Sequence, residues 1–471
     1  MKDIACLSAT EMIGAFRAGA LSPVEVLQAC FERIDAAEPV LNAFTEQRRE
    51  DALAAAEASH ARWARGETIG IIDGVPTAIK DLTPQKGFMF RRGSKSTGDE
   101  VCLEDAPCVK RLREEGAVFV GKTTTPEFGW KGVTDSPLSG ITRNPWDPDR
   151  TPGGSSGGAS AAVATGMCAL AEGTDGGGSI RMPAGFTGIF GLYPTAGRIP
   201  YYPLSVLGTM SQCGPMTRTV SDGALMFTAM SGPDPRDPIH LNNNEVDWRA
   251  FLDMGVAGLR VAYSPTLGFA KVDEDVAGVV EDAVATISRL GARVTRVDHV
   301  IDDPREPYEV LFSVGMERIR RSISEADQQN MDPGLLEMAA VGRTIDTFAF
   351  AEALLQRDKW AAAMNAFFTD YDVLVTPQLP LTAFKAGLEF PKGRGMRRWL
   401  DWNPFGYPFN FTNSPGGTMP CGFGDDGMPV AFQVIAPRHR EDLIFRVCRA
   451  YEKVRPIPLP DIARLQVAGE A

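Results

Sequence analysis

From Ile71 onward the chain alternates short β-branched runs ending in glycine or proline with stretches of helical periodicity, and few folds accommodate that rhythm. The runs include "GVPTAIKD" around Lys80, "AVFVGKT" before Thr124, "GMCALAEGTD" and "GIFGLYP", then "GLRVAYS", "ARVTRVD", "YDVLVTP" and "PVAFQVI". Such alternation predicts an α/β fold, with a central mixed β-sheet flanked by helices on both faces. At about 150 residues per domain, a length of 471 sets a soft prior of about three domains. No internal repeat is visible, however, and the strand pattern resumes after the polar, proline-rich stretch 233–246. The expectation is therefore one domain over 1–471. A helical segment 1–66 packs on a core at 71–232, 233–246 is a surface connection, and 255–455 completes the sheet and helices.

The N-terminal segment is helical by its local chemistry. In "LSPVEVLQACFERI", Ser22 is placed to cap, Pro23 occupies a first-turn position that tolerates proline, and Glu25 completes an S-x-x-E box before apolar Leu27, Cys30, Phe31 and Ile34. A second start falls at Ser8 with Glu11, and the alanine-rich run 51–64 continues the theme. Further on, 273–290 reads as a helix closed by Gly291.

A formal net charge of −12 repels phosphate backbones and acidic membrane surfaces, so nucleic acid and membrane are not expected partners. The N-terminus has no basic segment followed by an apolar run, and nowhere do about 18 apolar residues follow one another. A cytoplasmic protein is expected. The eight cysteines form no CxxC pair and no dense framework, which reads as reduced, mostly buried thiols.

Two glycine-rich stretches, "TPGGSSGGAS" (Thr151 to Ser160) and "EGTDGGGSIRMP" (Glu172 to Pro183), bracket the apolar, small-residue segment "ASAAVATGMCALA". Flexible linkers do not enclose a helix and strand of core character. Glycine instead lets backbone N–H groups approach a ligand, and the "DGGGS" amides suit an anion nest. Tight turns without chemistry are the alternative. Neither stretch holds the lysine of a phosphate loop, and in neither does a G-x-G-x-x-G open a helix after a strand. An oxyanion hole remains, with Ser179 as a candidate nucleophile after three glycines. None of the four histidines lies between residues 61 and 239, and no histidine, carboxylate or cysteine cluster has metal-ligand spacing, so a histidine base and catalytic zinc are both disfavoured. Lys80, at the end of an apolar run, is the candidate base if burial keeps it neutral; a solvated surface lysine is the alternative.

These residues carry a family resemblance. The motifs "GVPTAIKD", "GKTTTPEFG", "NPWD", "TPGGSSGGASAAVATG", "GTDGGGSIRMPAGFTGIFGLYPTAGR", "GPMTRTVSD" and "PFNFTNSPGGTMPCGF…GMPVAFQVIAP" run in order from about residue 71 to 437. The sequence resembles the amidase signature serine hydrolases, and the resemblance implies their fold and a Ser-cisSer-Lys triad. By that resemblance Ser179 is the nucleophile, Ser155 is the serine of a cis peptide that passes the proton, and Lys80 is the base. The amides of Gly176, Gly177, Gly178 and Ser179 are the oxyanion hole, and Ser156, Asp175 and Arg181 support the site. Three positions depart from the family pattern: Thr124 after "GKT", Tyr193 where lysine is common, and Gly176 where threonine or isoleucine is frequent.

The implied function is hydrolysis of small carboxylic amides through a serine acyl-enzyme, with anilides, carbamates or esters as side substrates and no cofactor or metal. The expected partners are a small-molecule amide and, as an assembly to test, a second copy in a homodimer. The alternative is the glutamine-hydrolysing component of a tRNA-dependent amidotransferase, but 340–372 lacks the patterns of that branch. Phe128, Trp130, Tyr201 and Phe409 are the expected substrate-binding residues and favour an aromatic or apolar amide. Arg91 and Arg92 are the only nearby cations, and both read as polar loop residues.

Overall fold

Both capping boxes form, and they set the first two helices. In the computed structural model, which describes residues 3–242, 246–456 and 458–468, α1 (Ala9–Arg17) starts at the reciprocal Ser8–Glu11 box. The Ser22–Glu25 box starts α2 (Pro23–Leu41), with Pro23 in the first turn, and α3 (Arg49–Arg65) follows. Each cap satisfies amides that have no partner inside the helix and is worth about 1 kcal/mol.

Among the described residues, thirteen strands follow the alternation seen in the sequence. They are β1 (Phe44–Glu46), β2 (Pro76–Lys80), β3 (Val118–Thr123), β4 (Asp135–Ser136), β5 (Gly140–Ile141), β6 (Leu170–Asp175) and β7 (Phe190–Tyr193). Then come β8 (Gln212–Thr217), β9 (Arg260–Tyr263), β10 (Arg293–Arg296), β11 (Val373–Pro377), β12 (Gly416–Phe423) and β13 (Pro429–Ile435). All but β4 and β5, which pair with each other, form one sheet of order β1-β3-β2-β6-β8-β7-β12-β13-β11-β9-β10. It is mixed: β2 runs parallel to β3 and β6, and β9 parallel to β10 and β11, while the other pairs are antiparallel.

Both faces are covered, as the near-continuous apolar runs require. Successive strand residues point to opposite sides. Ala78, Val118 and Val120 therefore pack in one layer with Leu27 of α2 and Ala56 of α3. Ala162 of α5 (Gly157–Thr165) and Ala184 of α6 (Arg181–Thr187) belong to the same layer. The strand neighbours Ile79 and Phe119 pack in the other layer with Val109 and Leu112 of α4 (Pro107–Glu114). That layer also holds Phe227 of α7 (Val220–Met230) and Val280 of α8 (Glu274–Arg289). Gly291 follows α8 at φ 103°, a left-handed conformation suited to glycine. A further apolar cluster, built on Tyr308, Phe312 and Met316 of α9 (Arg305–Arg321), closes over the end of the sheet where β2 and β6 terminate.

The described part of 233–246 holds no helix or strand, and residues 243–245 of that expected connection lie outside the described residues. Among the described residues no helix is long and apolar enough to cross a membrane. All eight cysteines are free thiols, five of them buried.

Candidate active site

Because β2 and β6 are parallel neighbours, their C-terminal ends lie side by side, the usual place for a site in an α/β sheet. The register pairs Thr77 with Leu170 and Ala78 with Ala171, which carries Lys80 to the level of Gly173, one residue before Thr174. Lys80 is fully buried there. Its Nζ donates to Ser155 Oγ at 2.7 Å, Ser156 Oγ at 2.8 Å and Thr174 Oγ1 at 3.0 Å. Burial pulls the Lys80 ammonium down to about 7, although Glu172 and Asp175 favour the charged form. Lys122 is equally buried, but its Nζ donates to the Thr83 carbonyl and contacts no serine. Serine contact is what sets Lys80 apart.

Ser155 and Ser156 lie between β5 and α5. The Gly154–Ser155 peptide is cis. Ser156 Oγ accepts from Lys80, donates to the Thr174 carbonyl at 3.2 Å and accepts the Thr174 amide at 3.3 Å, while its own amide donates to the Ser179 carbonyl at 3.1 Å. Ser156 thus ties the lysine, the end of β6 and the glycine loop together. Ser155 and Ser179 line the same cavity. Among the described residues, Ser179 Oγ has no hydrogen-bond partner.

The glycine loop 176–179 is held by its carbonyls. Asn410 Nδ2 donates to the Asp175 carbonyl at 3.2 Å, Tyr308 Oη to that of Gly176 at 2.9 Å, and Asn403 Nδ2 to that of Gly177 at 2.6 Å. A trans peptide sets its N–H opposite its C=O, so anchoring these carbonyls turns the following amides the other way. The amides of Gly176, Gly177 and Ser179 have no protein acceptor among the described residues, and these three residues line the cavity. Gly178 departs from expectation. Its amide donates to Asp175 Oδ1 at 2.7 Å and it does not line the cavity, so the open donor set is Gly176, Gly177 and Ser179. Glycine is required at two of these positions: Gly178 has φ 115°, and a Cβ on Gly177 would collide with Tyr308 Oη.

Asp175 and Arg181 form a buried ion pair beneath this loop, with Nε to Oδ2 at 3.0 Å. Burial alone would raise the Asp175 pKa, but Arg181, Asn410 and the Gly178 amide hold it below the ordinary carboxylate range. Arg181 also donates to the Gly406 carbonyl at 3.1 Å and to Asn410 Oδ1, and its guanidinium carbon lies 5.0 Å from the Tyr193 ring. The Tyr193 departure therefore covers an internal cation. The Thr124 departure is internal too, with Oγ1 2.7 Å from Thr142 Oγ1. The Gly176 departure shapes the cavity, since a Cβ there would sit 2.9 Å from Leu207 Cδ1.

Of the four aromatics expected to bind substrate, Phe128 and Tyr201 line the cavity. Trp130 and Phe409 do not. Trp130 is buried in the α9 cluster, and Phe409 packs with Leu374 and Ile435 behind the sheet. Hydrophobicity alone does not distinguish a cavity wall from core. Conversely, Phe312, Met316 and Ile319 line the cavity although nothing in the sequence marks them as binding residues. Their i, i+4, i+7 spacing is legible, but as an amphipathic helix face rather than as a binding wall. Arg91 pairs with Asp99 at the surface, as a polar loop residue should, whereas Arg92 faces the cavity.

Sequence spacing shows no cysteine and carboxylate cluster, yet folding brings Cys108, Glu172 and Cys213 within 4.8 Å of one another. Glu172 accepts the Lys80 amide at 3.1 Å and the Thr83 hydroxyl at 2.8 Å, and burial holds the Cys213 thiol protonated. The trio packs as an occupied polar set behind β2. All four histidines lie away from the cavity.

A lysine poised near neutrality, a serine in contact with it, a second serine on the same wall and free amides beside that serine are the parts of a nucleophilic acyl-transfer site. The comparisons agree with that class. A family model described as "Amidase" matches residues 25–445. An acylamidase of Rhodococcus erythropolis is 39% identical over 96% of both chains. One component of the glutamyl-tRNA(Gln) amidotransferase of Carboxydothermus hydrogenoformans is 34% identical over 95% of this chain and 97% of its own. The crystal structure of a bacterial aryl acylamidase of the amidase signature family superposes with TM-score 0.88 at 26% identity, covering 98% of each chain. The chain belongs to the amidase signature family, and it is an amide-hydrolysing enzyme.

Proposed function

We propose that the protein hydrolyses small carboxylic amides bearing an aromatic or apolar group, with Ser179 as nucleophile, Ser155 as proton carrier and Lys80 as base. The observation that carries this reading is the 2.7 Å contact from Lys80 Nζ to Ser155 Oγ at a cavity that also holds Ser179. Neutral Lys80 takes the proton of Ser155 as Ser155 takes that of Ser179, whose Oγ attacks the carbonyl carbon. The amides of Gly176, Gly177 and Ser179 stabilise the oxyanion. The relay then returns a proton to the leaving amine, and water releases the acid from the acyl-enzyme by the same route. In this reading the enzyme is cytoplasmic and acts without a metal or organic cofactor.

The pH dependence follows from Lys80. Its working form is the deprotonated one, so kcat should rise with pH through an apparent value near the 7 of Lys80 and level off above it. Below that value the rate should fall about tenfold per pH unit. Chelator treatment should leave it unchanged. A profile that rises toward acid, or inactivation by chelator reversed by zinc, would replace lysine with another base.

Substrate choice is argued from the walls. Phe128, Phe312, Met316, Ile319 and Trp399 gain about 25 cal/mol per Å² of apolar surface they cover. Glutamine would bring an ammonium to a cavity lined, among the described residues, by no carboxylate, and an unpaired charge there is costly. The expected result is a kcat/KM at least about tenfold higher for a benzylic amide or anilide than for glutamine, a difference of about 1.4 kcal/mol. Preference for glutamine in the absence of a partner protein would support the amidotransferase reading.

A further inference from the structure

Arg92 is the one charged side chain among the described residues lining the cavity, and its guanidinium lacks a partner there. Its carbon lies 5.1 Å from the centre of the Phe90 ring and 4.7 Å from that of Phe128. Its Nε is buried without a hydrogen-bond acceptor, and among the described residues the guanidinium makes no ion pair or hydrogen bond. The backbone holds it in place. Arg92 adopts φ 55°, its carbonyl accepts the Phe128 amide at 2.8 Å, and the next amide, of Gly93, donates to Asp81 Oδ2 at 3.1 Å. Asp81 is the acid nearest in effect, yet it makes no ion pair with Arg92 and does not line the cavity. Of the guanidinium's donors Nε alone is buried without a partner, and the two terminal nitrogens stay accessible from the cavity, where an acceptor can reach them. Rings on its flanks leave the edge of the guanidinium as the direction from which an acceptor can approach.

We propose that Arg92 is a binding subsite for a carboxylate carried by the substrate at the end remote from the scissile bond. This rests on the reading of Ser179 as the residue at which that bond is cleaved. The substrate class then has three parts: an amide carbonyl at Ser179, an apolar or aromatic middle against Phe312, Met316 and Trp399, and an anionic end at Arg92. A carboxylate matches the guanidinium fork and forms charge-assisted hydrogen bonds. The absence of any acid from the described cavity lining distinguishes this class from free α-amino acids, whose ammonium would find no counter-charge.

Equilibrium binding tests the subsite separately from the chemistry. The probes are 4-carbamoylbenzoate, 4-carboxyphenylacetamide and 3-(4-carboxyphenyl)propanamide, each paired with its uncharged 4-methyl counterpart, titrated calorimetrically into the Ser179→Ala protein. At least one carboxylate should bind about tenfold or more tighter than its neutral pair, about 1.4 kcal/mol. Adding Arg92→Met should abolish that preference while leaving the neutral affinity within about twofold, and Arg92→Lys should restore part of it, as a point charge without the fork geometry would. Three results would overturn the proposal: no carboxylate preference across the series, a preference that survives Arg92→Met, or an Arg92→Met protein that loses both affinities, which would make the role structural. None of them depends on turnover. A wild-type enzyme that hydrolyses no amide of either set would instead overturn the role given to Ser179.

Discussion

Ser179→Ala is expected to lower kcat for amide hydrolysis by about 10⁴-fold or more, with the fold unchanged. The side chain is small, sits on the cavity wall and makes no hydrogen bond among the described residues, so its removal deletes the proposed nucleophile and little else. Lys80→Ala should be comparably severe. Without that amine, Ser155 Oγ has no acceptor for its proton, and Ser156 Oγ and Thr174 Oγ1 lose the donor that now bridges them. Groups that move one proton act as a unit, so the triple variant with Ser155→Ala should be only about as slow as the worst single one. The free amides of Gly176, Gly177 and Ser179 should leave a residual rate above that in water. Steady-state kcat for the three single variants and the triple, with circular dichroism as the folding control, decides the matter. A Lys80→Ala enzyme near wild-type rate would remove lysine from the mechanism.

Arg181→Met is expected to cost about 3–5 kcal/mol of stability, because it leaves the Asp175 carboxylate fully buried without its counter-charge. Activity should fall too. Asp175 accepts the amides of Gly178, Ile180 and Arg181 as well as Arg181 Nε, so protonation or displacement of the carboxylate would release the turn that presents Ser179. Adding Asp175→Asn should recover part of the stability, since the double variant buries no unpaired charge. Denaturant midpoints of the two singles and the double measure this. If Arg181→Met and the double variant were equally stable, or if the single cost under about 1 kcal/mol, the pair would not be holding the loop.

Local chemistry was readable wherever its partners are near in sequence. The Ser22 to Glu25 box spans three residues, and its geometry follows from helix pitch alone. Alternating faces made β2 and β3 legible, and with them the placing of Lys80 at a strand end. Gly178 shows the limit. Its amide was expected to face a substrate oxyanion with its neighbours, and the sequence contains nothing to show that the Asp175 side chain folds back onto it. The Tyr308, Asn403 and Asn410 donors that turn the neighbouring amides outward come from more than a hundred residues further along the chain.

Trp130 and Phe409 make the same point for the cavity. A tryptophan beside Phe128 and a phenylalanine in a late loop have the composition of a binding wall. Whether each meets solvent or core depends on where α9 and the end of the sheet come to rest. Arg92 is the converse, a surface-type residue that the fold places against Phe90 and Phe128 at the site. Residue types and short-range order thus settled the α/β class, the helix starts and the chemistry available to Lys80, Ser155 and Ser179, because propensity, periodicity and functional groups belong to the chain itself. Which amides remain free, which aromatics line the cavity and which arginine faces it were decided by packing between distant segments. Burial and hydrogen-bond pairing are properties of the assembled three-dimensional arrangement, and no local stretch encodes them.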